Sequence, residues 1–163
     1  VEHFLSPETR LVHGQGLTTL THVTRRKRKK LTNRLVFAAM LGETAAVREL
    51  LRSGRLDPEL PDADGTTALY VASVHGATDT VRVLLRAGAR PDTESTGLTD
   101  GTPLCGAAAW GHTDTVRELL AHGADPNLRE DHGTGSTPLR WARQGASGPH
   151  PETEAVLVAA GAL

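Results

Sequence analysis

The stretch TPLCGAAAWGHTDTVRELLAHGADPN, Thr102 to Asn127, decides how the chain is read. Thr102 can accept a backbone N–H bond as a helix N-cap, and Pro103 suits the first helical position, where an N–H would be unsatisfied anyway. The helix is expected to run through Trp110, with Gly106, Ala107 and Ala108 small enough for another helix to approach closely. Gly111 breaks it, and His112 to Asp114 turn the chain into a second helix. There Val116, Leu119 and Leu120 form one apolar stripe, while Arg117, Glu118 and Ala121 face away. Gly123 stands where a left-handed residue ends a helix, and Ala124 to Asn127 make a turn. One such unit holds too little apolar surface to fold alone.

The unit recurs. Leu35, Leu69, Leu104 and Leu139 lie 34, 35 and 35 residues apart. Seven residues beyond each of the first three stand Gly42, Gly76 and Gly111. Leu51, Leu85 and Leu120 follow at sixteen residues, and Gly54, Gly88 and Gly123 three later. A fourth copy closes on Val158 and Gly161-Ala162, three residues late, with the extra length assigned to the Gly148-Pro149-His150-Pro151 turn. A period of this size, made of two short helices and a turn, predicts a solenoid whose neighbouring units bury each other's apolar faces.

With GTTAL, GTPL and GSTPL opening the helices and LLRAGA and LLAHGA closing them, the chain resembles the ankyrin-repeat proteins. The resemblance covers roughly four-fifths of the chain at the period of that family. It implies an all-α, ankyrin-like helix–turn–helix solenoid over residues 31–163, with repeats at about 31–61, 62–94, 95–129 and 130–163. Ankyrin repeats often carry His after Thr-Pro-Leu, where it ties neighbouring loops. Here the positions hold Tyr70, Cys105 and Arg140, so that tie is not implied.

The outer copies depart from the pattern. In the first, Asn33 is expected to cap a helix Arg34 to Leu41 with Leu35, Phe37 and Ala38 inward; Val47, Leu50 and Leu51 line its partner. Residues 1–30 precede it as an arm expected to be disordered, ending in the run Arg25-Arg26-Lys27-Arg28-Lys29-Lys30, which holds every lysine of the chain. In copy two, Asp64-Gly65 is a turn signal, Thr67 a cap, and Leu69, Val71, Ala72, Val81, Leu84 and Leu85 point inward. In the fourth, Trp141 and Ala142 follow Thr137-Pro138-Leu139, and Glu154 falls where Val81 and Val116 stand earlier, as suits a capping repeat with a polar outer face.

Composition narrows the function. Aromatic residues make up 3% of the chain, which suits layers of Leu, Val and Ala better than a core of large rings. A net charge of −1 argues against a globally basic nucleic-acid binder. The lone Cys105 excludes an intramolecular disulfide and fits a reducing, cytoplasmic compartment. No apolar run reaches the roughly 18 residues of a membrane span, and the first residues lack the apolar core of a signal peptide.

No catalytic constellation emerges. Cys105 and His112 would lie about 10 Å apart along even a continuous helix, against the roughly 3 Å of a thiolate–imidazole pair. The histidines lack metal-ligand spacing, Gly14-x-Gly16 lacks a strand–helix context, and the pairs Asp62/Asp64 and Glu130/Asp131 sit in turns, where such residues commonly serve the backbone. Neither enzymatic activity, a cofactor nor a small-molecule substrate is expected.

A surface remains. In ankyrin-like stacks, partners bind the concave groove lined by loop tips and by the exposed ends of the first helices. Transferred onto this sequence, the resemblance implies a protein-binding site of Leu41, Val74, His75, Ala109, Trp110 and Gln144, with Asp64, Thr66 and Asp100 from the loops. Leu41, His75 and Trp110 stand at equivalent positions one repeat apart, an apolar–imidazole–indole row suited to a protein or peptide. Two other readings stand beside it. The basic run Arg25 to Lys30 could tether the chain to nucleic acid or an anionic surface, or the repeats could serve a larger enzyme.

Overall fold

The computed structural model describes residues 15–163 apart from 53, 55, 98 and 99, with side chains from residue 25 onward except that of Asp100. Four helix pairs follow one another. They are α1 (Gln15–Met40) with α2 (Thr44–Leu51), α3 (Ala68–Val74) with α4 (Thr78–Arg86), α5 (Pro103–Ala109) with α6 (Thr113–Ala121), and α8 (Pro138–Gln144) with α9 (Pro151–Ala159). The first helices α1, α3, α5 and α8 stack in that order, and the second helices α2, α4, α6 and α9 form a parallel layer against them. Between pairs two and three, β1 (Ser95–Thr96) and β2 (Asp100–Gly101) make an antiparallel ladder. The single turn α7 (Glu130–Gly133) precedes the last pair, with Asp131 and His132 at positive φ.

The caps form as their residue types predict. Thr67, Thr102 and Thr137 accept from the N–H of Tyr70, Cys105 and Arg140 at 3.3, 3.3 and 3.2 Å, which satisfies a backbone donor each helix would leave open. Gly42, Gly76 and Gly111 adopt positive φ between the helices of the first three pairs. One core runs the length of the stack, with Leu35, Leu69, Leu104 and Leu139 buried at the predicted period. In repeat two, Leu69, Val71, Ala72, Val81, Leu84 and Leu85 are all buried as expected.

Repeat one corrects the sequence reading. Asn33 does not cap a helix; it lies inside α1, which is unbroken from Gln15 to Met40. The run of Arg and Lys before it contains no Gly or Pro and consists of good helix formers, and Thr32 bonds back to the Arg28 carbonyl at 3.1 Å within the helix. The expected disorder therefore does not extend over residues 15–30; residues 1–14 lie outside the described residues. Phe37, expected inward, is 58% exposed, because the buried face of α1 is carried by Leu35, Val36, Ala38 and Ala39. In repeat three the buried stripe is Val116 and Leu119, with Leu120 only half-buried. Glu118 faces the preceding repeat and pairs with Arg82 at 2.8 Å.

Side chains tie each repeat to the next. Three hydroxyl pairs join the second helices, Thr44–Thr80, Thr78–Thr115 and Thr113–Thr153, each at 2.8 Å. Along the loops, Glu59 accepts from the Arg90 backbone and guanidinium and from Thr93; Asp92 accepts from the Asp125 N–H; Asn127 bonds Gly161 and Leu163. Burial would raise the Glu59 carboxyl, but these hydrogen bonds and the Arg90 charge outweigh it and hold Glu59 below the usual carboxylate range. Glu154 occupies the place expected from Val81 and Val116 and is anchored to Arg143 at 2.7 Å.

Candidate functional site

The first helices of pairs one to three each end on a residue of the row singled out in the sequence. Leu41 follows Met40 at the end of α1, His75 is the C-cap of α3, and Trp110 is the C-cap of α5. Leu41 and Trp110 are 52% and 50% exposed, and His75 is exposed with its Nδ1 2.9 Å from the Val71 carbonyl. Gly145, at φ 52°, takes this place in the last pair. Packed helices stand roughly 8–10 Å apart, which sets the step along the row. Val74 and Ala109 are half-buried beside it and Gln144 is exposed. Asp64 is exposed at a loop tip shaped by Asp62, whose carboxylate accepts from the N–H of Asp64 and Thr66 at 2.9 and 3.0 Å. Thr66 is half-buried; the Asp100 side chain and Thr99 lie outside the described residues.

Behind the row stands a histidine ladder that the sequence did not reveal. His112 Nε2 lies 3.0 Å from the Val74 carbonyl, and His150 Nε2 lies 3.2 Å from the Ala109 carbonyl. A carbonyl only accepts, so each Nε2 carries the proton. Every bond reaches from one repeat to the end of the preceding first helix, which fixes the backbone beside His75 and Trp110. The ladder does from the second helix what a His after Thr-Pro-Leu would do from the first. Aligning His150 with His112 across the longer fourth turn was the available signal.

Burial, followed by the neighbouring charges of His75 and His150, pushes the His112 pKa below the usual 6.5, although the Val74 bond opposes the shift. The unfolded chain thus binds this proton more tightly than the fold. His112 contributes stability that is complete above about pH 6.5 and is lost as pH falls through its lowered folded value. Thermal melts of the wild type and His112→Gln should therefore show a smaller loss of Tm between neutral and mildly acidic pH in the variant. Equal losses would remove His112 as the cause.

The loop side of the stack holds a second buried cluster. Trp141 Nε1 donates to Glu130 at 2.6 Å, and Cys105 Sγ donates toward the Ser136 carbonyl at 3.8 Å. Glu130, read from sequence as a turn acid, is buried. Burial pushes its carboxyl up while the Trp141 bond opposes that shift. Burial, with Glu130 next to it, also raises the Cys105 thiol far above its usual range. A thiol so placed stays protonated and is a poor nucleophile. Glu94 closes the cluster by accepting from the backbone N–H of Asp131 and His132, which holds both at positive φ. No spacing rule links Glu130 to Trp141, eleven residues later, so sequence alone could not join them.

Among the described residues, no group of three His, Cys, Asp or Glu side chains could hold a metal ion, and no helix is long and apolar enough to cross a membrane. The architecture is that of a helix-pair repeat protein with an exposed rim. The chain belongs to the ankyrin-repeat family: the model for ankyrin repeats in three copies matches residues 9–95, and that for a single ankyrin repeat matches residues 100–131. It is 45% identical over 64 residues to ankyrin repeat domain-containing protein 29 of Danio rerio, and 42% identical over 64 residues to that of Homo sapiens. These matches cover 39% of this chain but only 22% and 21% of the relatives, so the matched stretch spans about a fifth of their length. Ankyrin repeats are generally protein–protein interaction modules and typically non-catalytic.

Proposed function

We propose that the stack binds a partner protein in its concave groove, does no chemistry, and acts as a cytoplasmic scaffold. The contact row is Leu41, His75 and Trp110, flanked by Val74, Ala109 and Gln144 and by the loop residues Asp64, Thr66 and Asp100. The observation that carries this reading is Trp110 itself. Half of its surface is exposed at the end of a rigidly stacked helix, whereas Trp141 has its indole N–H engaged by a buried carboxylate. An exposed indole on a fixed backbone loses little freedom on binding, and Trp is enriched among the residues that dominate binding energy. The raised Cys105 thiol argues against a covalent catalyst built on the only cysteine.

The test is affinity capture from a lysate, followed by a direct titration of the recovered partner. Trp110→Ala should weaken binding about thirtyfold, the equivalent of about 2 kcal/mol, with an unchanged melt. Unchanged affinity in the folded variant would overturn the assignment.

A further inference from the structure

A second surface lies at the opposite side of repeat one from α3. On α1, Arg26, Lys29, Lys30, Arg34 and Phe37 fall on one helical stripe, spaced three or four residues apart. Together with Leu50 of α2 they border an open groove of about 760 Å³. The same face in every later repeat meets its predecessor. Ala46, on this groove, corresponds to Thr80, Thr115 and Thr153, which are fully buried and bonded to the preceding repeat. Leu50 corresponds to Leu84, Leu119 and Leu157, each 0% exposed, yet it is only half-buried.

The residue types say what covers it. Arg34 stands where the later repeats have Ala68, Pro103 and Pro138, all buried. Another apolar repeat stacked here would bury that guanidinium without a partner, which is costly. Among the described residues, none of the four cations on the stripe forms an ion pair. The two acids on the groove, Glu43 and Glu49, sit on the α2 side, and Glu49 is held by Arg52 at 3.0 Å. The surface is thus an apolar floor of Phe37 and Leu50 beside a wall of unpaired positive charge. Arg26 to Phe37 spans about 16 Å of helix, or three turns.

We propose that this end face docks an acidic amphipathic helix of a partner protein, with apolar side chains on Phe37 and Leu50 and carboxylates along Arg26, Lys29, Lys30 and Arg34. The mode is helix-in-groove recognition with charges fixing orientation. It is independent of the rim at Trp110.

The probe is a synthetic amphipathic peptide of about five helical turns, with Leu on one face flanked by Glu, labelled for fluorescence anisotropy and titrated with the full chain. The controls are the same peptide with Lys in place of Glu and a scrambled sequence of the same composition. The Glu peptide should bind at least tenfold more tightly than either control, and its affinity should fall as salt is raised. Lys30→Glu with Arg34→Glu, and separately Phe37→Ala, should each weaken it about tenfold or more, with helical circular dichroism retained. Trp110→Ala should bind the peptide as the wild type does. Equal binding of the scrambled or Lys peptide, or undiminished binding by both sets of end-face variants, would overturn the proposal. So would retention on duplex DNA or anionic vesicles without binding of the Glu peptide. Loss of binding in folded Trp110→Ala would move the site to the groove.

Discussion

Leu119→Ala should destabilise the whole stack by about 2–5 kcal/mol, the range for emptying a filled core position. Leu119 is 0% exposed and belongs to the core that runs through all four helix pairs. Its neighbours are fixed from both sides, by the Thr78–Thr115 and Thr113–Thr153 bonds, so the cavity cannot close by sliding one repeat. In a short solenoid, stability is a sum of repeat and nearest-neighbour terms, and a loss at a central junction is felt along the array. Denaturant melts should show one transition moved to lower midpoint with its slope kept. Leu120→Ala, at the half-buried neighbour, should cost less. A change below about 0.5 kcal/mol for Leu119→Ala would mean that the junction is not where the core is closed.

Gly76→Ala should cost about 2–3 kcal/mol, and Gly42→Ala about 1–2, although both glycines end the same turn of successive repeats. Each has positive φ, 65° and 67°, so each substitution bears the left-handed penalty of an L-residue. They differ in what a new methyl meets. At Gly42 it would touch Ala77 Cβ at an ordinary 3.5 Å; at Gly76 it would lie 2.5 Å from His112 Nδ1. The imidazole must then leave, and its bond to the Val74 carbonyl goes with it. Gly76→Ala should also lose the pH dependence assigned to His112. Equal costs at the two glycines would show that the ladder adds nothing to stability.

The sequence reading was sound where periodicity governs. The leucines at 35, 69, 104 and 139, the Thr-Pro caps and the glycines between helices repeat because each repeat meets the same neighbours, so one copy explains the others. It failed at repeat one, where α1 departs from the pattern of the later first helices. Asn33 carried a capping residue type at the right register, but the helix-forming run before it let α1 continue through it. Phe37 was placed inward by its apolar character, whereas its stripe faces the uncovered end groove. Contacts set by tertiary packing were harder to read. Glu118 and Arg82, 36 residues apart, and Glu130 and Trp141 are joined by the three-dimensional stack and by no local pattern. The rim residues Leu41, His75 and Trp110 were legible as a row because they share one register. The histidines that hold the backbone behind that row were hidden by the longer turn of repeat four.

The chain contains two tryptophans, and they stand in opposite surroundings. Replacing Trp141 with Phe leaves Trp110 as the only indole, once a melt has shown that loss of the Glu130 hydrogen bond is tolerated. In the free protein, its emission should be that of a solvated indole, readily quenched by a small neutral quencher, because half its surface is open. On saturation with the captured partner, the emission should move to shorter wavelength and quenching should fall, as the ring leaves water for an apolar contact. Saturated binding with unchanged emission and unchanged quenching would contradict recognition through the groove.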